Sequence, residues 1–105
     1  MASKRGLILN PKDNVANALE EVLPGQEIES SLGKEKISFH ATERIPFGFK
    51  VARVDIARGE PVVKYGEMIG RASQAIPKGA LVHIHNLEGA RGRGDLRAKN
   101  GGQKG

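Results

Sequence analysis

The chain has 105 residues and a mass of 11.3 kDa, which is room for one domain and one modest core but not for a deep enclosed active site as well. It contains no cysteine, which excludes disulfide staples, thiolate metal sites and cysteine nucleophiles, and leaves histidine and oxygen as the metal donors. The net charge of +5 is unevenly spread: residues 1–87 hold 12 Lys/Arg against 10 Asp/Glu, whereas residues 88–105 hold 5 against 2.

The first apolar run, Leu7-Ile8-Leu9, is far shorter than the hydrophobic region of a signal peptide, and no stretch approaches the ~20 apolar residues of a membrane span. A soluble, cytoplasmic protein without membrane association is expected. Leu7-Ile8-Leu9 reads as a short strand and Asn10-Pro11-Lys12-Asp13 as a turn. Val15, Ala18, Leu19 and Val22 then fall at the i, i+3, i+4, i+7 spacing of one helical face, with Asp13 placed to cap it, which predicts a helix over 14–22. Pro24-Gly25 would stop it. Gln26–Glu29 and Lys36–Ala41 alternate like strands.

Next comes a repeat, Ile-x-x-Gly-x-x-Val, at Ile45–Val51, Ile56–Val62 and Ile76–Val82. Each copy is an apolar anchor, a turn in which glycine supplies a positive φ, and an apolar residue that re-enters the core. Three copies predict a mainly β module of short strands over residues 5–87. Residues 88–105 hold six glycines and almost no apolar mass, cannot offset their own ordering entropy by burial, and read as a flexible Gly/Arg-rich tail.

Val82-His83-Ile84-His85-Asn86-Leu87 is the densest chemical group. On a strand, His83 and His85 would share one face, an arrangement suited to a metal or to a proton-transfer pair, but one that spacing alone assigns more readily to a solvated face with no function. Arg91 and Arg93 place two guanidiniums on a glycine-rich segment, where bidentate hydrogen bonds could hold an oxyanion. Nucleic acid fits poorly, because the first 87 residues are nearly charge-balanced and the tail has no aromatic residue to stack on bases. Short strands leave open edges, so self-association is an option.

Read together, Ile56-x-x-Gly59-Glu60-Pro61-Val62-Val63-Lys64-Tyr65-Gly66-Glu67-x-Ile69-Gly70 and Ile76-x-x-Gly79-x-x-Val82-His83-x-His85-Asn86-Leu87 resemble the SAF module of altronate and galactarate dehydratases, which also forms the small subunit of sulfolactate sulfo-lyase. The resemblance implies a β-clip of short bent strands with one short helix near the start. It implies the small subunit of a hydro-lyase, inactive alone, that eliminates water from an anionic sugar acid together with a separate large catalytic subunit. An N-terminal fragment of a longer enzyme and the small subunit of a sulfolactate sulfo-lyase fit the same resemblance. A stand-alone module that binds an anionic ligand or scaffolds an assembly is the non-catalytic alternative. The family reaction further implies a divalent metal, iron or manganese, held mainly by the large subunit. His83 and His85 would then transfer protons or contact that metal, Arg91 and Arg93 would bind the substrate carboxylate, and Lys64, Tyr65 and Glu67 would be mainly architectural.

Overall fold

A computed structural model describes residues 3–89. Arg91 and Arg93, with the expectations placed on them and on most of the tail, lie outside the described residues. Among the described residues nine strands form two sheets. Strands β1 (Lys4–Leu7), β2 (Val15–Ala18), β3 (Glu27–Leu32), β4 (Glu35–His40), β5 (Lys50–Ala52) and β8 (Leu81–Val82) make a sheet of order β4-β3-β1-β2-β5-β8. Strands β6 (Pro61–Lys64), β7 (Glu67–Ala72) and β9 (Leu87–Gly89) make a second, of order β6-β7-β9. All pairings are antiparallel except β1 with β3. Pairing reaches Gly89, two residues past the domain boundary read from composition. Among the described residues there is no helix, and so none long and apolar enough to cross a membrane.

The helix expected over 14–22 is therefore replaced by a strand. Val15–Ala18 lies between β1 and β5, where both faces of a strand are covered. Val15 enters one core cluster while Ala16 and Ala18 enter the other. A short run that is apolar on both sides imitates helical spacing, and periodicity alone does not separate the two. Asp13 caps no helix. Buried to 2% exposure, its carboxylate accepts the N–H groups of Leu9, Asn10 and Gly66 and so joins the chain entering β2 to the β6–β7 hairpin.

The turn repeat has a fourth copy, Val22-Leu23-Pro24-Gly25-Gln26-Glu27-Ile28, hidden in what reads as a helix terminator. In all four the glycine stands third in a hydrogen-bonded turn, with φ of 85, 86, 87 and 92° at Gly25, Gly48, Gly59 and Gly79, as a type II turn requires. The turns interlock in pairs. Val22 and Ile45 exchange both backbone hydrogen bonds, and Ile56 and Ile76 do the same, at 2.8–2.9 Å. An alanine four residues before each anchor completes the clasp: Gly25 N–H donates to the carbonyl of Ala41, Gly48 to Ala18, Gly59 to Ala72 and Gly79 to Ala52, each at 2.8 Å. These alanines, whose carbonyls the crossing turns engage, are at most 3% exposed. Each clasp centres one of the two cores: Val22 and Ile45 lie in the cluster with Ile8, Ile28 and Val51, and Ile56 and Ile76 in the cluster with Val15, Val62 and Val82. At roughly 1.5–3 kcal/mol per fully buried aliphatic side chain, these anchors and the aliphatic residues packed around them supply the hydrophobic term that holds so small a module together.

Candidate functional site

The last turn leads through β8 into the residues with the most chemistry. His83–Asn86 is a turn rather than a strand continuation, since β8 ends at Val82. The alternation that would place His83 and His85 on one strand face thus stops just before them. Asn86 causes the reversal. Only 5% exposed, it donates from Nδ2 to the Leu81 carbonyl at 2.8 Å and accepts the His83 N–H on Oδ1 at 2.9 Å, while its own N–H donates to the His83 carbonyl. A side chain that mimics backbone partners in this way competes successfully with a two-residue strand.

The preceding turn unit grips the same segment from the other side. Ser73 N–H donates to the Asn86 carbonyl at 2.9 Å and Gln74 Nε2 to the His85 carbonyl at 3.1 Å. The His83 ring lies against Phe49, with centroids 4.8 Å apart and planes inclined by 58°. Ile84 and His85 are exposed, Ile84 to 83% at the tip, and His83 is exposed beyond its contact with Phe49. The result is a short turn with its backbone held from several sides and three side chains presented outward.

The other motif-bearing segment supports this one. Lys64–Glu67 closes the β6–β7 hairpin, with Tyr65 at φ 55° and Gly66 at φ 79°. Tyr65 is 45% exposed rather than packed in the core, and the Lys64 ammonium sits 4.8 Å from the centre of its ring. Glu67 is exposed as well. Gly70 lies where β9 crosses β7: a Cβ there would collide with the carbonyl of Glu88 and meet Leu87 Cδ1 at 2.9 Å. The glycine therefore lets the strand leaving the histidine turn approach the sheet.

His83 and His85 supply two imidazole donors, but no group of three or more His, Cys, Asp or Glu side chains gathers among the described residues. That donor set does not by itself make a divalent-metal site. His40 ends β4 and joins no such group. Lys50, in β5 opposite Asn17 and Val82, has its ammonium pKa lowered by burial and further by the charge of Lys64. Composition offers no hint of Phe49 beside His83. Asn86, by contrast, carries a readable signal, since an asparagine three residues after His83 is spaced to close a turn on its N–H.

Comparison with known proteins identifies the family. The family model for the altronate/galactarate dehydratase SAF domain matches residues 4–90. The chain is similar to the (2R)-sulfolactate sulfo-lyase subunit alpha of Chromohalobacter salexigens, at 42% identity over 52 residues, half of this chain and 55% of that subunit. It is also similar to the altronate dehydratases of Bacillus subtilis, at 33% over 80 residues, and Escherichia coli, at 39% over 74 residues. Those alignments cover 76% and 70% of this chain but 15% and 14% of the dehydratases, so the chain corresponds to a small part of each. With a family match across both turn clasps and the histidine turn, the chain belongs to the altronate/galactarate dehydratase SAF domain family.

Proposed function

We propose that this chain is the small subunit of an altronate dehydratase-like hydro-lyase, working with a separate large catalytic subunit on an anionic sugar acid. The observation that carries the reading is the turn His83–Asn86: its backbone is held by Asn86, Ser73 and Gln74, while His83, Ile84 and His85 are turned outward. An isoleucine 83% exposed between two imidazoles suits a surface that a partner covers.

Elimination of water from a sugar acid removes a proton from the carbon beside the carboxylate and hydroxide from the next carbon, giving a 2-keto-3-deoxy acid after tautomerisation. The step needs a base, positive charge near the developing enediolate and assistance to the leaving oxygen. In this reading His83 and His85 move protons at the subunit boundary, and Arg91 and Arg93, outside the described residues, bind the substrate carboxylate. A divalent cation, iron or manganese, is held mainly by the large subunit, with contact to that cation as the alternative role of His83 and His85. A sulfolactate sulfo-lyase is the second reading, favoured by the similarity to a sulfo-lyase subunit of which the chain covers 55%.

The test is reconstitution. The purified chain is assayed alone and with the large subunit, on altronate and galactarate for 2-keto-3-deoxy acid and on sulfolactate for sulfite. Activity only in the mixture, lowered about 100-fold or more in kcat by His85→Ala or His83→Ala with little change in complex formation, is the expected result. Sulfite release without dehydration selects the second reading. Turnover unchanged after both histidines are replaced removes their catalytic role, and absence of any complex removes the subunit reading.

A further inference from the structure

The two turn clasps are built alike and finished differently. Around the Val22–Ile45 bridge, Leu23 stands opposite Arg44, and the Arg44 guanidinium pairs with Glu21, spanning the crossing. The same repeat positions around the Ile56–Ile76 bridge are Ala57, Ala75 and Asp55. With nothing beyond a methyl group at two of them, the crossing is left as an open groove of about 520 Å³, floored by Ile56 and Ile76 and walled by Asp55, Ala57, Glu60 and Ala75.

The correspondence extends to hydrogen bonds. Gln26 accepts the Leu23 N–H on its side-chain oxygen, and Glu60 accepts the Ala57 N–H in the same way. The neutral cap of the closed clasp is thus an acid in the open one. Asp55 uses one carboxylate oxygen on the Lys78 N–H, and neither Asp55 nor Glu60 forms an ion pair among the described residues. The closed clasp has one acid and its own arginine. The open clasp has two acids and no cation in its lining.

We propose that this groove is a docking site for a segment of the large subunit that presents an arginine beside an aliphatic side chain, supplying in trans what Arg44 and Leu23 supply in cis. The proposal rests on the subunit reading above. Its position agrees with that role: Ser73 and Gln74 hold the histidine turn, and the next two residues, Ala75 and Ile76, line the groove. A partner seated there lies one residue along the chain from the segment that fixes His85. Arginine is the residue suited to such a pocket, because its fork can satisfy two carboxylates while its stem lies along the exposed Ala57, Ala75 and Pro77.

The experiment compares association of the full chain with the large subunit by sedimentation or titration calorimetry. Ala57→Leu with Ala75→Arg rebuilds the closed clasp and is expected to keep or raise the melting temperature while weakening the complex about tenfold or more. Asp55→Asn with Glu60→Gln retains both backbone caps, removes only charge, and is expected to weaken the complex several-fold and flatten its salt dependence. If wild type associates and both variants associate equally well, the docking site is refuted while the subunit reading stands. If wild type does not associate, the subunit reading fails and the proposal with it. Should the rebuilt clasp misfold, the charge-only variant decides alone. A wild-type homodimer that the rebuilt clasp converts to monomer would assign the groove to a second copy of this chain and overturn the proposal.

Discussion

Replacing Gly79 and Gly59 by alanine separates two roles of the turn glycines. Both have a strongly positive φ, 92° and 87°. An L-residue there costs about 1–2 kcal/mol, partly offset by the lower unfolded-state entropy of alanine, so a net loss near 1 kcal/mol is expected at either site from conformation alone. At Gly59 a Cβ meets nothing within 4 Å. At Gly79 it would run into the His40 carbonyl and press on Thr42 at 3.1 and 3.2 Å, because the Gly79 carbonyl accepts the Thr42 N–H at 2.9 Å and binds the two segments together. Backbone displacement of that kind costs about 1–3 kcal/mol, and loss of the backbone hydrogen bond between Thr42 and Gly79 adds about 1 kcal/mol. Gly79→Ala should therefore destabilise the chain by about 3–5 kcal/mol and Gly59→Ala by about 1 kcal/mol. Urea titration of the full chain followed by far-ultraviolet circular dichroism reads the difference directly. Equal losses, within about 0.5 kcal/mol, would show that the Gly79 turn is not seated against residues 40–42 and would undo the clasp geometry.

Other outcomes rest on single contacts. Asn86→Ala leaves the His83 N–H and the Leu81 carbonyl without their partner and should cost about 2–4 kcal/mol in urea unfolding, whereas His85→Ala, at an exposed position, should stay within about 0.5 kcal/mol of wild type. Glu20 is held below the usual carboxylate pKa, first by the Arg5 N–H and then by the Arg5 guanidinium. Its stabilising effect is complete above the unfolded carboxylate value near 4.5 and is lost as pH falls through the lower folded value, so Glu20→Gln should flatten the acid side of the stability profile. Lys50 has the opposite sense: its depressed folded pKa disfavours the native state while both states are protonated. Lys50→Met should thus raise the urea midpoint at pH 7, and that advantage should shrink as pH climbs from the folded pKa toward 10.5, which a midpoint series from about pH 7 to 11 would record.

Much of the second half of the fold was legible in the sequence because its turns announce themselves. Gly48, Gly59 and Gly79 each stand midway between two apolar anchors, and a positive φ at that spacing admits little else. The first half misleads at one point, with two consequences. Val15–Ala18 is buried on both faces, so its residues satisfy a helical pattern as well as a central strand does, and a helix placed there turns Pro24-Gly25 into a terminator and hides the fourth copy of the repeat. What no local pattern could disclose is which turns clasp which. The partnerships Gly25 with Ala41 and Gly79 with Ala52 join residues 16 and 27 positions apart, and they depend on the cores closing around Val22–Ile45 and Ile56–Ile76.

The same distinction governs the candidate site. His83 and His85 are visible in the sequence as chemistry, but the side-by-side geometry expected of them depends on a strand that Asn86 ends. The turn that replaces it differs in what it leaves exposed. A strand edge would offer two rings and an unpaired backbone, inviting further strand pairing. The turn commits the N–H and carbonyl of His83 and the carbonyls of His85 and Asn86 to Asn86, Ser73 and Gln74, so its backbone path is fixed while three side chains stay outward. Gly70 and Gly66 shape the second sheet. One admits β9 against β7, and the other lets the β6–β7 hairpin close on Asp13. The strand that carries Gly70 is thus joined, through the pairing of β7 with β9, to the strand that leaves the histidine turn.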